Sequence, residues 1–162
     1  MARIQILTEH EEKKFNEPPI FSLQDRKYYF YINEELLNKL YEKIQTKNIC
    51  YVILQIGYLK ARNSFFSNEY NEDIQYIEEK FSLKFNPQLP ERTKRYYHNI
   101  IRELVDINIP TKEDLVSLSQ LSLELANLFQ DRKKIFWALV NKSRELKIEI
   151  PSYRTLTEII AE

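Results

Sequence analysis

Apolar residues recur along most of this chain at the three- and four-residue spacing of a helix, in about nine segments whose ends carry capping or breaking residues. Thr8 followed by Glu11 makes a capping-box pattern for the first segment, which Pro18-Pro19 closes. Ser22 opens a second, running to about Phe30. Asn33 opens a third, in which Leu36, Leu37, Leu40 and Ile44 share a face. Asn48 opens a fourth, where Ile49, Val52, Ile53, Ile56 and Leu59 form one stripe and Tyr51, Leu54 and Tyr58 cover much of the rest. A helix apolar nearly all round belongs in the middle of a bundle.

Asn71 caps a fifth segment to about Lys84; Pro87 and Pro90 bracket a turn, with Pro90 at the first position of a sixth helix to about Ile107. Thr111 with Asp114 opens a seventh along Leu115, Leu118, Leu125 and Phe129. Asp131 caps an eighth whose Ile135, Phe136, Leu139, Val140 and Leu146 face inward. Pro151 ends that unit, and Ser152 starts a short terminal helix through Leu156, Ile159 and Ile160. Between Ser64 and Asn71 the chain is polar apart from Phe65, Phe66 and Tyr70, and this stretch separates two groups of apolar helices. The pattern predicts an all-α helical bundle of about nine helices in two small lobes, residues 1–66 and 67–162.

Composition strengthens the helical reading. The 162 residues include a single glycine, Gly57, whereas strands, tight turns and phosphate-cradling loops lean on that residue. Gly57 lies inside the fourth helix, where it is about 1 kcal/mol less favourable than alanine, so its position predicts close approach by another helix. Lysine plus arginine equals aspartate plus glutamate, so no global charge announces a nucleic acid or a membrane. The lone cysteine, Cys50, cannot form an internal disulfide and fits a reducing, cytoplasmic setting. Arg3 is followed by only a short apolar stretch before a charged run, unlike a signal peptide. The longest apolar segment, Ile49 to Leu59, is about half the ~20 residues of a membrane span. No membrane partner is expected.

Catalytic chemistry has few candidates. His10 and His98 lack metal-site spacing, and Cys50 in so apolar a helix reads as a buried structural thiol rather than a nucleophile. Carboxylates sit at helix starts and on charged faces such as Glu78-Glu79. We therefore expect no catalytic residue, no metal ligand and no cofactor. The consecutive aromatics Tyr28, Tyr29, Phe30 and Tyr31 must point several ways, which suits packing better than a base-stacking platform.

Charge is unbalanced in two places. Residues 91–102 hold Arg92, Lys94, Arg95 and Arg102 against Glu91 alone. Residues 132–147 hold Arg132, Lys133, Lys134, Lys142, Arg144 and Lys147 against Glu145 alone. In each, cations crowd the first turn of a predicted helix, opposing a dipole effect of ~0.3–1 kcal/mol. Exposed N–H groups with cations beside them suit a phosphate. Equally, Glu91 and Asp131 can compensate locally, leaving the lysines as solvated surface.

Several blocks resemble a known family. The opening Ile6-Leu7-Thr8-Glu9, the block NICYVILQIGYLK from Asn48 to Lys60, Arg92-Thr93 with Ile101-Arg102 beyond, and Ile148 to Leu156, IEIPSYRTL, occur in the order and spacing of the N-terminal region of the Tn-three family of replicative, cointegrate-forming transposases. The second block is similar to that family's HNRLGFALQLCYLR pattern and the last to its I-x-L-P-x-Y-x-T-L-E. Lys47 stands where the family usually has histidine, and Ala61-Arg62-Asn63 replace a proline and glycine. The resemblance implies a DNA-binding module of helix-turn-helix type that recognises the terminal inverted repeats of a transposon, both lobes binding DNA. It also implies that strand transfer belongs to a distant acidic-triad domain absent from this chain. The expected partners are double-stranded transposon ends, with a transposase catalytic region or another copy of the chain alongside. The residues expected at DNA are Arg92, Thr93, Lys94, Arg95, His98, Arg102, Arg132, Lys133 and Lys134, with Lys47, Asn48 and Arg154. The competing reading is a helical interaction or regulatory module that pairs with a full-length transposase; the neutral total charge and the numerous aromatics favour it.

Overall fold

A computed structural model describes residues 4–161, so Arg3 lies outside the described residues. Within them the chain forms nine α-helices: α1 (Glu9–Asn16), α2 (Leu23–Tyr29), α3 (Glu34–Lys43), α4 (Ile49–Arg62), α5 (Asn71–Phe81), α6 (Glu91–Val105), α7 (Lys112–Ala126), α8 (Arg132–Glu145) and α9 (Tyr153–Ala161). A 3-10 turn, Thr46–Asn48, leads into α4. No sheet forms among the described residues; an isolated parallel bridge joins Asn108 to Ile148. The all-α expectation is borne out.

Local capping chemistry sets most helix starts. Thr8–Glu11, Ser22–Asp25 and Thr111–Asp114 form full capping boxes, while the side chains of Asn33 and Asp131 accept from the N–H groups of Leu36 and Lys133. Three starts differ from expectation. Tyr70, not Asn71, occupies the N-cap of α5, and Pro90 sits just before α6 rather than in its first turn. Asn48 precedes α4 without making a side-chain cap, because its amide is used elsewhere. At the other ends, left-handed backbone falls on Asn63, Ser82, Asp106 and Lys147, with φ between 52° and 59°. A chain with one glycine thus turns on residues that pay a steric cost there.

The helices sort into two compact units, Pro18–Asp106 and Met1–Glu17 with Ile107–Glu162. This differs from a division at 66/67. The stretch from Ser64 is stitched to α4: the buried Gln55 side chain donates to the Phe66 carbonyl at 2.9 Å and accepts from the Phe66 N–H at 3.1 Å. Polar composition there marks a loop satisfied from inside, not a boundary. The first helix instead joins the C-terminal unit. Ile6 and Leu7 are buried with Leu118, Phe136, Leu139, Tyr153 and Leu156, and the Tyr153 hydroxyl accepts from both of their N–H groups at 3.0 and 3.1 Å. Phe15 of α1 meets Phe136 edge-on, 5.2 Å between centroids.

In the Pro18–Asp106 unit every residue of α4 from Ile49 to Leu59 is buried, and α2, α5 and α6 pack against it. Asp73, in the first turn of α5, is fully buried. It accepts from Arg26 Nε at 2.8 Å and from the Tyr58 hydroxyl at 2.7 Å, joining α2, α4 and α5. Cys50 is buried, and burial first among the causes pushes its thiol up to about 12, which keeps it protonated and inert.

Candidate nucleic-acid interface

Helix α6 carries the first basic cluster. Tyr97 and Ile101 turn into the core, so the opposite side of the cylinder faces solvent. On that side lie Arg92, Arg95, Tyr96, Asn99 and Glu103, all exposed. Two polar links fix the helix to the start of α4. Asn48 Nδ2 donates to the Tyr97 hydroxyl at 2.8 Å, and the Tyr51 hydroxyl lies 2.8 Å from His98 Nε2. Asn86 Nδ2 in turn donates to Asn48 Oδ1 at 3.0 Å. Neither Asn48 nor Tyr97 shows this role in a pattern of apolar spacing; the signal available was a polar residue at the mouth of an otherwise apolar helix.

Beside these links an open groove of about 970 Å³ runs between the 3-10 turn and the start of α6, with Lys47, Asn48, Asn86 and Thr93 among its walls. Three residues expected at DNA thus line one groove, although Asn48 is buried and hydrogen-bonded within the unit. Lys47 is exposed.

His98 is half-buried and stacked. Phe65 lies flat on its ring, centroids 3.9 Å apart and 5° from parallel, and the Tyr51 ring, whose hydroxyl meets Nε2, has its centroid 6.2 Å away. Burial first, then the positive charge of Arg102, pushes its imidazole down to about 4. Near neutral pH it is uncharged and offers a phosphate no ionic contact. Arg102 rests over Phe65 at 5.2 Å, and Lys94 over Tyr51 at 5.6 Å. Lys94 also lies 3.4 Å from Glu91, and its charge opposes the upward shift that burial gives the Glu69 carboxyl. Of the four cations of α6, Arg92 and Arg95 reach furthest into solvent.

The second cluster belongs to the other unit. Arg132 and Lys134 are exposed at the start of α8, with Lys134 5.6 Å over the Phe129 ring. Lys133 is committed within its unit: its ammonium lies 2.8 Å from Glu11 of α1, and that hydrogen bond leads the causes holding the Glu11 carboxyl at about 2. Arg154, exposed on α9, pairs with Glu158 at 3.1 Å. Among the described residues, no group of three His, Cys, Asp or Glu side chains is placed to hold a metal ion, and no helix is long and apolar enough to cross a membrane.

Fold and surface together define an all-α domain with a cationic, solvent-facing helix beside an open groove of mixed polar and apolar lining. The chain belongs to the family described as domain of unknown function (DUF4158), which it matches over residues 6–162. No curated protein matches it.

Proposed function

We propose that this chain is the DNA-binding module of a transposase resembling the Tn-three family, recognising the terminal inverted repeats of its element through helix-turn-helix-like helical units during transposition. The observation that carries the reading is the row of guanidinium groups along α6. Arg92, Arg95 and Arg102 follow one another at helical spacing on or beside its solvent face, next to Lys47 at the groove. Guanidinium groups on a firmly packed helix suit the spaced phosphates of a duplex. The order of the sequence blocks supports the same reading. The chain itself performs no chemistry in this scheme.

The test is a mobility shift with an inverted-repeat duplex and a scrambled duplex at two salt concentrations. Tighter, salt-sensitive binding to the repeat is expected. Equal, salt-insensitive or absent binding overturns the reading.

One observation favours the interaction-module alternative. Leu123, Leu128 and Trp137 are large apolar side chains exposed by 59%, 74% and 42% in the unit that holds α7 and α8. Titration with a full-length transposase, read by sedimentation, tests it: a complex that forms without DNA supports pairing.

A further inference from the structure

We propose that Asn99 is the base-reading residue of α6, recognising an adenine in the major groove, and that Arg102 is the positioning residue that holds its amide. The inference rests on the DNA-binding reading above.

Asn99 lies at the centre of the solvent face of α6. Arg95 and Arg92 stand one and two turns before it; Arg102 and Glu103 stand one turn after. An exposed mid-helix asparagine is disfavoured intrinsically, and such a side chain ordinarily samples several rotamers. Here it is held. Arg102 Nη1 donates to Asn99 Oδ1 at 2.6 Å. Arginine has no acceptor, so the amide atom facing it must be the oxygen, which fixes the sense of the amide. The guanidinium is seated 5.2 Å over Phe65, Phe65 lies flat on His98, and His98 meets the Tyr51 hydroxyl of α4 at 2.8 Å. Each link restrains the next, from the buried helix out to the exposed amide.

The oriented amide keeps its Nδ2 hydrogens and a second lone pair on Oδ1. That donor beside an acceptor matches the N7 acceptor and N6 donor of adenine, an order adenine alone presents in the major groove. A groove of that width admits an α-helix. With Asn99 at the base edges, Arg92 and Arg95 flank it along the helix and meet phosphates, which position the helix without reading sequence. Glu103, the one acid on this face near Asn99, disfavours a phosphate there and keeps the backbone on the arginine side.

The test selects binding sites from a randomised duplex pool with the unsubstituted chain and with Asn99→Ala. Alanine raises helix propensity at this exposed position, so the variant folds; circular dichroism checks that. The unsubstituted chain should enrich a motif with a fixed adenine, and 7-deazaadenine there should weaken binding roughly tenfold or more. The variant should lose preference at that position alone, ignore 7-deazaadenine, and keep its salt dependence. Phe65→Leu, which removes the ring beneath Arg102 and leaves Asn99, Arg92 and Arg95 in place, should blunt preference at the same position. An unchanged motif for Asn99→Ala, or indifference of the unsubstituted chain to 7-deazaadenine, overturns the assignment while leaving DNA binding intact. Failure of the unsubstituted chain to enrich any motif or bind duplex overturns both.

Discussion

The ring edge of Phe30 occupies the space that a side chain on Gly57 would need. A methyl group there would meet Phe30 Cδ1 and Cε1 well inside contact and stand 3.3 Å from the Tyr29 carbonyl oxygen. Phe30 is itself fully buried, with the rings of Phe21 and Tyr58 at 5.4 and 6.1 Å, so it has little room to swing aside. The end of α2 thus approaches α4 as the glycine predicts.

Gly57→Ala should therefore destabilise the protein by about 1–3 kcal/mol through overpacking, despite a propensity gain of about 1 kcal/mol. The midpoint of urea denaturation measures it. A higher midpoint would mean that Phe30 moves freely.

Tyr153→Phe should cost about 2 kcal/mol, since it strands the buried N–H groups of Ile6 and Leu7. Amide hydrogen exchange should quicken at those two residues and along α1. Exchange unchanged at both would show that other groups hold the segment.

Ser82→Gly should stabilise by about 0.5–1 kcal/mol. Ser82 ends α5 in left-handed backbone at φ 54° and is exposed, so relief of the Cβ clash exceeds the extra entropy of the unfolded glycine. Thermal denaturation against Ser82→Ala, which should do no better than serine, isolates the backbone effect.

Folded His98 is held at about 4, below its ordinary value of 6.5. Between those values the unfolded chain binds more protons, so stability should fall as pH drops from about 6.5 toward 4 and be level in this respect above 6.5. Denaturation midpoints at pH 7 and pH 5 should lie closer together in His98→Gln. An imidazole titration by NMR with its midpoint near 6.5 would contradict the stacked, neutral ring.

Replacing Arg92 and Arg95 together by alanine should weaken binding to every duplex and reduce the salt slope by about 0.9 for each phosphate contact removed. Lys133→Ala should instead loosen α1, because its ammonium serves Glu11. If the double arginine variant keeps both affinity and slope, the interface lies on another surface.

Sequence by itself determined the helices and most of their starts. Thr8–Glu11, Ser22–Asp25 and Thr111–Asp114 act within four residues, so a capping box reads the same in sequence and in structure. The burial of α4 followed from its composition, and the tight place at Gly57 from the presence of a residue that a helix disfavours. Tertiary structure alone decided the grouping of helices and the state of the polar residues. Ile6 and Leu7 pair with Tyr153 across about 147 positions, and Asp73 meets Arg26 across 47. No local rule encodes which apolar stripe meets which, because hydrophobic burial is non-directional. The same holds for charge. Arg92, Lys94, Arg95 and His98 look alike as a basic run, yet a turn of 100° per residue sends Arg92 and Arg95 to water, lays Lys94 over Tyr51 and holds His98 against the Phe65 ring and the Tyr51 hydroxyl. Which cation remains for a partner depends on what packs beneath it, and that is settled only when α4 and α6 come together.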